Sequence, residues 1–144
     1  MKLFKSIQKN NQKRQWIINS VKRQSNILKH NLYINNIETK LKIIWLKSKN
    51  DVDTILAPIN KFNYEYSYFI NAVLSYDNFN YNYSYDIVVL NLMWEVTNTF
   101  KNASPNSISL NFEHLSHIIV LPVNGIEQLS INIGDNVRPM PKII

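Results

Sequence analysis

His114 and His117 lie three residues apart with Glu113 beside them. Imidazoles at that spacing could begin a metal site on a helix, but such a site needs a third ligand and outer-shell partners. The sequence supplies neither nearby, so the pair reads as a polar helix face. Asp51 and Asp53 have the look of paired carboxylates for acid–base work. They sit where a helix start favours negative charge, so capping is their expected role. Glycine occurs only at 125 and 134, which excludes a glycine-rich phosphate loop. Cysteine is absent, which removes disulfides, thiolate metal sites and a cysteine nucleophile. No acid–base pair converges. The expectation is a protein that is not an enzyme, with no catalytic residue, metal or cofactor.

The basic residues carry a stronger signal. Residues 1–49 hold twelve of the sixteen Lys and Arg and only one acid, Glu38, a net +11. Residues 50–144 hold four bases and nine acids, a net −5. A basic lobe joined to a mildly acidic domain points to a polyanion partner, with nucleic acid first. Phosphate binding needs cation density and little positional precision. The candidate RNA-binding residues are Lys5, Lys9, Lys13, Arg14, Lys22, Arg23, Lys29, Lys40, Lys42 and Lys47.

Seven of the eight tyrosines fall between residues 64 and 85. Aromatics on a sheet can stack on bases. The strand expected to carry an RNA-recognition signature, Asp86-Ile87-Val88-Val89-Leu90-Asn91, has no glycine and no base. Tyr66, Tyr68, Tyr81 and Tyr83 are therefore expected to meet a neighbouring protein, since rigid rings suit interface cores.

Asn occurs 22 times and Ile 20 times, against two Gly, three Ala and three Arg. This is the imprint of A/T-rich codons and suggests an A/T-rich genome, an organelle genome among them. At 144 residues the chain reads as one domain plus an extension. No apolar run reaches membrane-spanning length, and no apolar stretch of a secretory signal follows the first lysines.

The positioning elements follow from periodicity. Ile18, Val21, Ser25, Leu28 and Leu32 predict a basic amphipathic helix over 5–32, with Asn35-Asn36 as the break before the domain. Residues 40–47 predict a strand. Asn50-Asp51 predict a helix start, and Pro58 a kink or an early end. Alternation in 64–74 and the apolar run in 83–96 predict a long hairpin across the Asp77-Asn78-Phe79-Asn80 turn. Ser104-Pro105 followed by Ile108, Phe112, Leu115 and Ile119 predicts a second helix. Leu129, Ile131 and Ile133 predict a last strand. The expected fold is α+β: a ferredoxin-like βαββαβ antiparallel sheet over 40–133, with a basic helical extension (1–39) and an irregular tail (134–144).

These pieces resemble small-subunit ribosomal protein S-ten. Ile43-Ile44-Trp45-Leu46-Lys47-Ser48 is similar to that family's first strand and turn. Leu121-Pro122-Val123-Asn124-Gly125-Ile126, running on to Ile133, is similar to its closing Leu-Pro-x-Gly motif. The family's hairpin is normally basic and Pro-rich, whereas Ser75 to Tyr85 has no Lys or Arg. The resemblance implies a structural, RNA-associated protein of a mitochondrial small ribosomal subunit, in the matrix, with ribosomal RNA and neighbouring ribosomal proteins as partners. The basic residues of 1–49 would then make the RNA contacts. The alternative expectation is a non-catalytic accessory subunit of a respiratory or other membrane-associated complex, itself not an integral membrane protein.

Overall fold

A computed structural model describes residues 30–59 and 65–141. Seven strands dominate: β1 (His30–Ile34), β2 (Ile37–Leu46), β3 (Tyr66–Asp77), β4 (Tyr85–Leu90), β5 (Val96–Ala103), β6 (Ser109–Leu121) and β7 (Val137–Pro141). Two short helices interrupt them. α1 (Lys49–Asp51) continues as a π-helical turn over Val52–Leu56, and α2 (Gly125–Gln128) precedes β7. The strands form one mixed sheet in the order β5-β4-β6-β3-β2-β1-β7. Only the β2–β3 pair is parallel; α1 and the π turn lie in the crossover between them.

The sheet rolls until its edges meet. Glu95 bridges Asn136, the Val96 N–H donates to the Asp135 carbonyl at 2.9 Å, and the Val137 N–H to that of Trp94 at 2.9 Å. All seven strands send a buried side chain into the enclosed core: Leu32, Ile43, Phe69, Val88, Val96, Ile119 and Val137. Ile126 and Ile131 join this core from α2 and the turn after it. A second core covers the outer face, where Ile44, Leu46, Ile70, Ile87 and Val120 pack under Ile55 and Leu56 of the π turn. The central strands are thus buried on both faces. Such strands read as continuous apolar runs and not as alternation.

This architecture corrects the ferredoxin-like expectation. The second helix expected from Ser104-Pro105 is the strand β6, paired with β3 on one side and β4 on the other. Its β-branched run Ile118-Ile119-Val120 is buried on both faces, and Ser104-Pro105-Asn106 is a turn with Asn106 at φ 58°. The hairpin expected from 64–74 and 83–96 does not form, because β6 separates β3 from β4. The second of those segments instead ends at Leu90. Asn91 Oδ1 accepts the N–H groups of Met93 (2.9 Å) and Glu95 (3.0 Å), and Trp94 at φ 67° turns the chain into β5. Leu129 to Ile133 is not a strand, and the segment read as a tail contains β7.

The extension is corrected where it is described. Residues 30–32, given to the helix, belong to β1, and Asn35 and Asn36, at φ 50° and 68°, are the tight turn into β2. The rest of the expected helix, 5–29, lies outside the described residues. Other readings hold: β2 contains 40–46, and the helical segment ends at Leu56, two residues before Pro58. Its N-cap is Ser48, whose Oγ accepts the Asp51 N–H at 3.2 Å, while Asp51 Oδ2 accepts the Lys47 N–H at 2.9 Å. Asp51 therefore serves the helix start.

The asparagine bias acquires a structural use. Among the described residues eight that are not glycine have positive φ, and five of them are asparagines, at 35, 36, 102, 106 and 124. A chain with two glycines turns on the next residue best suited to the left-handed region.

Candidate nucleic-acid interface

β2 carries the described part of the basic lobe. Its side chains alternate: Leu41, Ile43 and Trp45 face the enclosed core, and Ile44 and Leu46 face outward. Lys40 and Lys42 share the outward parity and are exposed. Lys42 Nζ stands 5.9 Å from the Tyr66 ring centroid on the neighbouring strand, a cation–π contact. Lys47 and Lys49 follow at the end of the strand, also exposed. Among the described residues the salt bridge that forms is Lys101–Glu127 at 3.3 Å, so Lys40, Lys42, Lys47 and Lys49 keep their charge available there. At about 3.3 Å per residue the run from Lys40 to Lys47 spans about 23 Å. Of the ten sequence-derived RNA-binding candidates, Lys40 and Lys42 are thereby brought onto β2, with Lys47 directly after it. Lys5, Lys9, Lys13, Arg14, Lys22, Arg23 and Lys29 lie outside the described residues. Lys49 is an addition that its place beside Lys47 made legible.

The cationic run ends at a cleft of about 730 Å³. Its walls come from the end of β2, α1, the second half of β3 and the 77–81 loop. That volume falls within the roughly 300–1,000 Å³ typical of small-ligand sites. Lys47, Lys49, Asp53 and Asp77 line it together with Asn71 and Asn80. Phe79 stands at this cleft and is 49% exposed. Its loop is held firmly. Asp77 Oδ1 accepts the Phe79 N–H at 3.1 Å. Asn78 is buried, and its Oδ1 accepts the N–H groups of Ser107 (3.0 Å) and Ile108 (2.8 Å) while its Nδ2 donates to the Ser104 carbonyl at 2.7 Å.

The tyrosines require correction. Tyr68 and Tyr81 are buried in the chain's own outer core and are unavailable to a neighbouring protein. Tyr66 and Tyr83 are half-buried and pack against the same core. The Tyr81 hydroxyl is 2.8 Å from that of Tyr76, and the Tyr81 ring meets Tyr85 edge-on at 5.7 Å. Burial pushes the phenols of Tyr68, Tyr76, Tyr81 and Tyr85 well above their ordinary value. They remain neutral hydrogen-bonding groups. The Tyr/Asn-rich segment mainly roofs the sheet, because aromatic rings bury large apolar area and still hydrogen-bond at one end.

The histidine pair also changes character. On a strand, residues three apart face opposite sides. His114 is exposed, and His117 is buried, stacked on Trp94 with centroids 4.3 Å apart. His117 Nδ1 accepts the N–H of Ala72, which sits at φ 44° in a β3 bulge. Burial lowers the His117 pKa, which suits an acceptor nitrogen. Among the described residues no cluster of three His, Asp or Glu could hold a metal ion. Sequence reasoning missed Asn78, Asp86 and the His117–Ala72 bond. Asp86 is buried on β4 and accepts the N–H groups of Asn102 (2.8 Å) and Ile126 (3.0 Å), tying β5 and α2 together. A lone acid in an apolar strand was the available signal.

No protein-family model matches this sequence, and no curated protein matches it. Among solved structures, the fold is similar to that of a "putative transcription regulator" from Sinorhizobium meliloti 1021. The TM-score is 0.64 at 10% identity, over 76% of this chain and 92% of that one. It is also similar to a protein of unknown function from Novosphingobium aromaticivorans DSM 12444, with TM-score 0.58 at 16% identity, over 68% and 74% of the two chains. Likeness at these identities is of fold alone. Among the described residues no helix is long and apolar enough to cross a membrane.

Proposed function

We propose that the protein is a non-catalytic RNA-associated protein that holds the phosphate backbone along β2 and the basic residues before it. The observation that carries this reading is the exposed run Lys40, Lys42, Lys47 and Lys49, which makes no salt bridge among the described residues. It lies in the same 49-residue stretch as eight further Lys and Arg. Backbone phosphates are held by cation density on a rigid support, and a strand buried on its other face is one. The small ribosomal subunit, and with it the mitochondrial matrix, rested on the resemblance to S-ten. Ile43 to Ser48 does run from a strand into a turn, but the closing motif of that resemblance falls on other elements: Leu121 ends a strand, and Gly125 opens α2. The proposal therefore rests on charge and geometry and extends to RNA association. The likeness to a protein titled a transcription regulator makes DNA the comparison ligand.

The test is binding of the full chain to labelled single-stranded RNA, duplex RNA and duplex DNA across a salt series. Replacing all four lysines with Ala should weaken RNA binding and flatten the log–log salt slope by up to about 2.8, at about 0.7 per single-strand phosphate contact. An unchanged slope, or a clear preference for duplex DNA, would overturn the reading.

A further inference from the structure

We propose that the cleft at the end of β2 receives an unstacked base of single-stranded RNA, with the Phe79 ring as the stacking platform. This rests on the RNA reading above and assigns the form of RNA that is bound. Single strands are recognised where a cationic track runs into an exposed aromatic surface, because splayed bases stack on rings while the phosphates follow the charges. Among the described residues Phe79 is the aromatic ring among the exposed large apolar side chains; the others are Ile, Leu and Met. It lines the same cleft as Lys47 and Lys49, the last cations of the run.

The electrostatics separate the base from the phosphates. Lys47 and Lys49 are matched in the cleft by Asp53 and Asp77, so the cavity has no net charge for an anion. A neutral heterocycle suits it better. The Asp53 carboxylate can accept from an exocyclic amino group, and the Asn71 and Asn80 amides can both donate and accept. The phosphates then lie toward the lysines and on toward Lys42 and Lys40. Platform placement is built into the fold. The Asp77 carboxylate, which accepts the Phe79 N–H, and the buried Asn78 amide fix the backbone leading into Phe79, so less ordering remains to be done on binding.

The experiment uses the full chain, a 12-nucleotide single-stranded RNA carrying 2-aminopurine, and a 12-base-pair RNA duplex. Phe79→Ala should weaken single-strand binding about 5- to 150-fold, the equivalent of the ~1–3 kcal/mol that one stacked base contributes. Duplex affinity and the salt slope should not change. The fluorophore should be quenched by the wild type and by Phe79→Trp, and not by Phe79→Ala. Because Phe79 is half exposed, a urea titration should show the variant still folded. Single-strand affinity and quenching that persist in Phe79→Ala would overturn the cleft assignment and leave the RNA reading standing. Failure of the wild type to bind any RNA would overturn both. Loss of single-strand and duplex binding together in Phe79→Ala would make Phe79 a general contact and also overturn the base-receiving role.

Discussion

Replacing Asn78 with Ala should cost about 2–4 kcal/mol of folding stability. The side chain is 1% exposed and makes three hydrogen bonds to one loop: to the N–H groups of Ser107 and Ile108 and to the carbonyl of Ser104. A typical internal hydrogen bond contributes about 0.5–1.5 kcal/mol net, and a buried group left without a partner costs about 1–3 kcal/mol. Ser104 and Ser107 are exposed, so water can replace two of the three bonds at modest cost. Ile108 is half-buried, and its N–H is the one left poorly served. The built-in control is Asn80→Ala, the same chemical change two residues away at an exposed position, which should stay within about 0.5 kcal/mol. Urea unfolding followed by tryptophan emission measures both variants. Asn78→Ala should also loosen Phe79 and weaken single-strand binding. A cost under 1 kcal/mol, or one equal to that of Asn80→Ala, would refute the anchoring role.

Stability should fall as pH drops below about 6.5, the ordinary histidine value, because burial lowers the folded pKa of His117 and of His30. The unfolded chain then binds more protons in that window, so the contribution is complete above 6.5 and lost as pH falls through the folded values. Unfolding free energies that stay flat from pH 7.5 to 5.5 would contradict this, and His117→Ala should remove part of the slope. Tyr76→Phe should cost about 0.5–1.5 kcal/mol by removing the partner of the Tyr81 hydroxyl, a bond of 2.8 Å; no change in the urea midpoint would count against it. Gly134→Ala should cost about 1–2 kcal/mol through backbone strain alone. Its φ is +93°, and nothing lies within 4 Å of an added Cβ, so a neutral thermal shift would show that the turn relaxes.

Sequence by itself determined the chemistry that is missing and the charge that is present. Without cysteine and with two glycines, thiolate and glycine-loop sites were excluded before any folding argument. The lysines of β2 were legible because a β-rich run with outward cations has a local signature. So was a helical segment near Asn50-Asp51 that ends before Pro58, although its N-cap is Ser48 and not the expected Asn50-Asp51, since capping and proline sterics act over four residues. Tertiary structure decided the rest. Ile108, Phe112, Leu115 and Ile119 repeat at helical spacing, yet the chain from Ser109 on is β6, because strands β3 and β4 flank it and its second half, Ser116 to Leu121, is covered on both faces. A segment buried on both faces loses the alternation that would separate strand from helix. The short strands β1 and β7 were hidden for a related reason. Each is five residues long, and the two pair with each other across more than a hundred residues of chain. Whether a tyrosine roofs the chain's own core or meets a partner is likewise decided by what folds against it. The anchoring by Asn78 was beyond sequence reasoning, since its partners lie 26 to 30 residues further on and are set by the turn that returns the chain into β6.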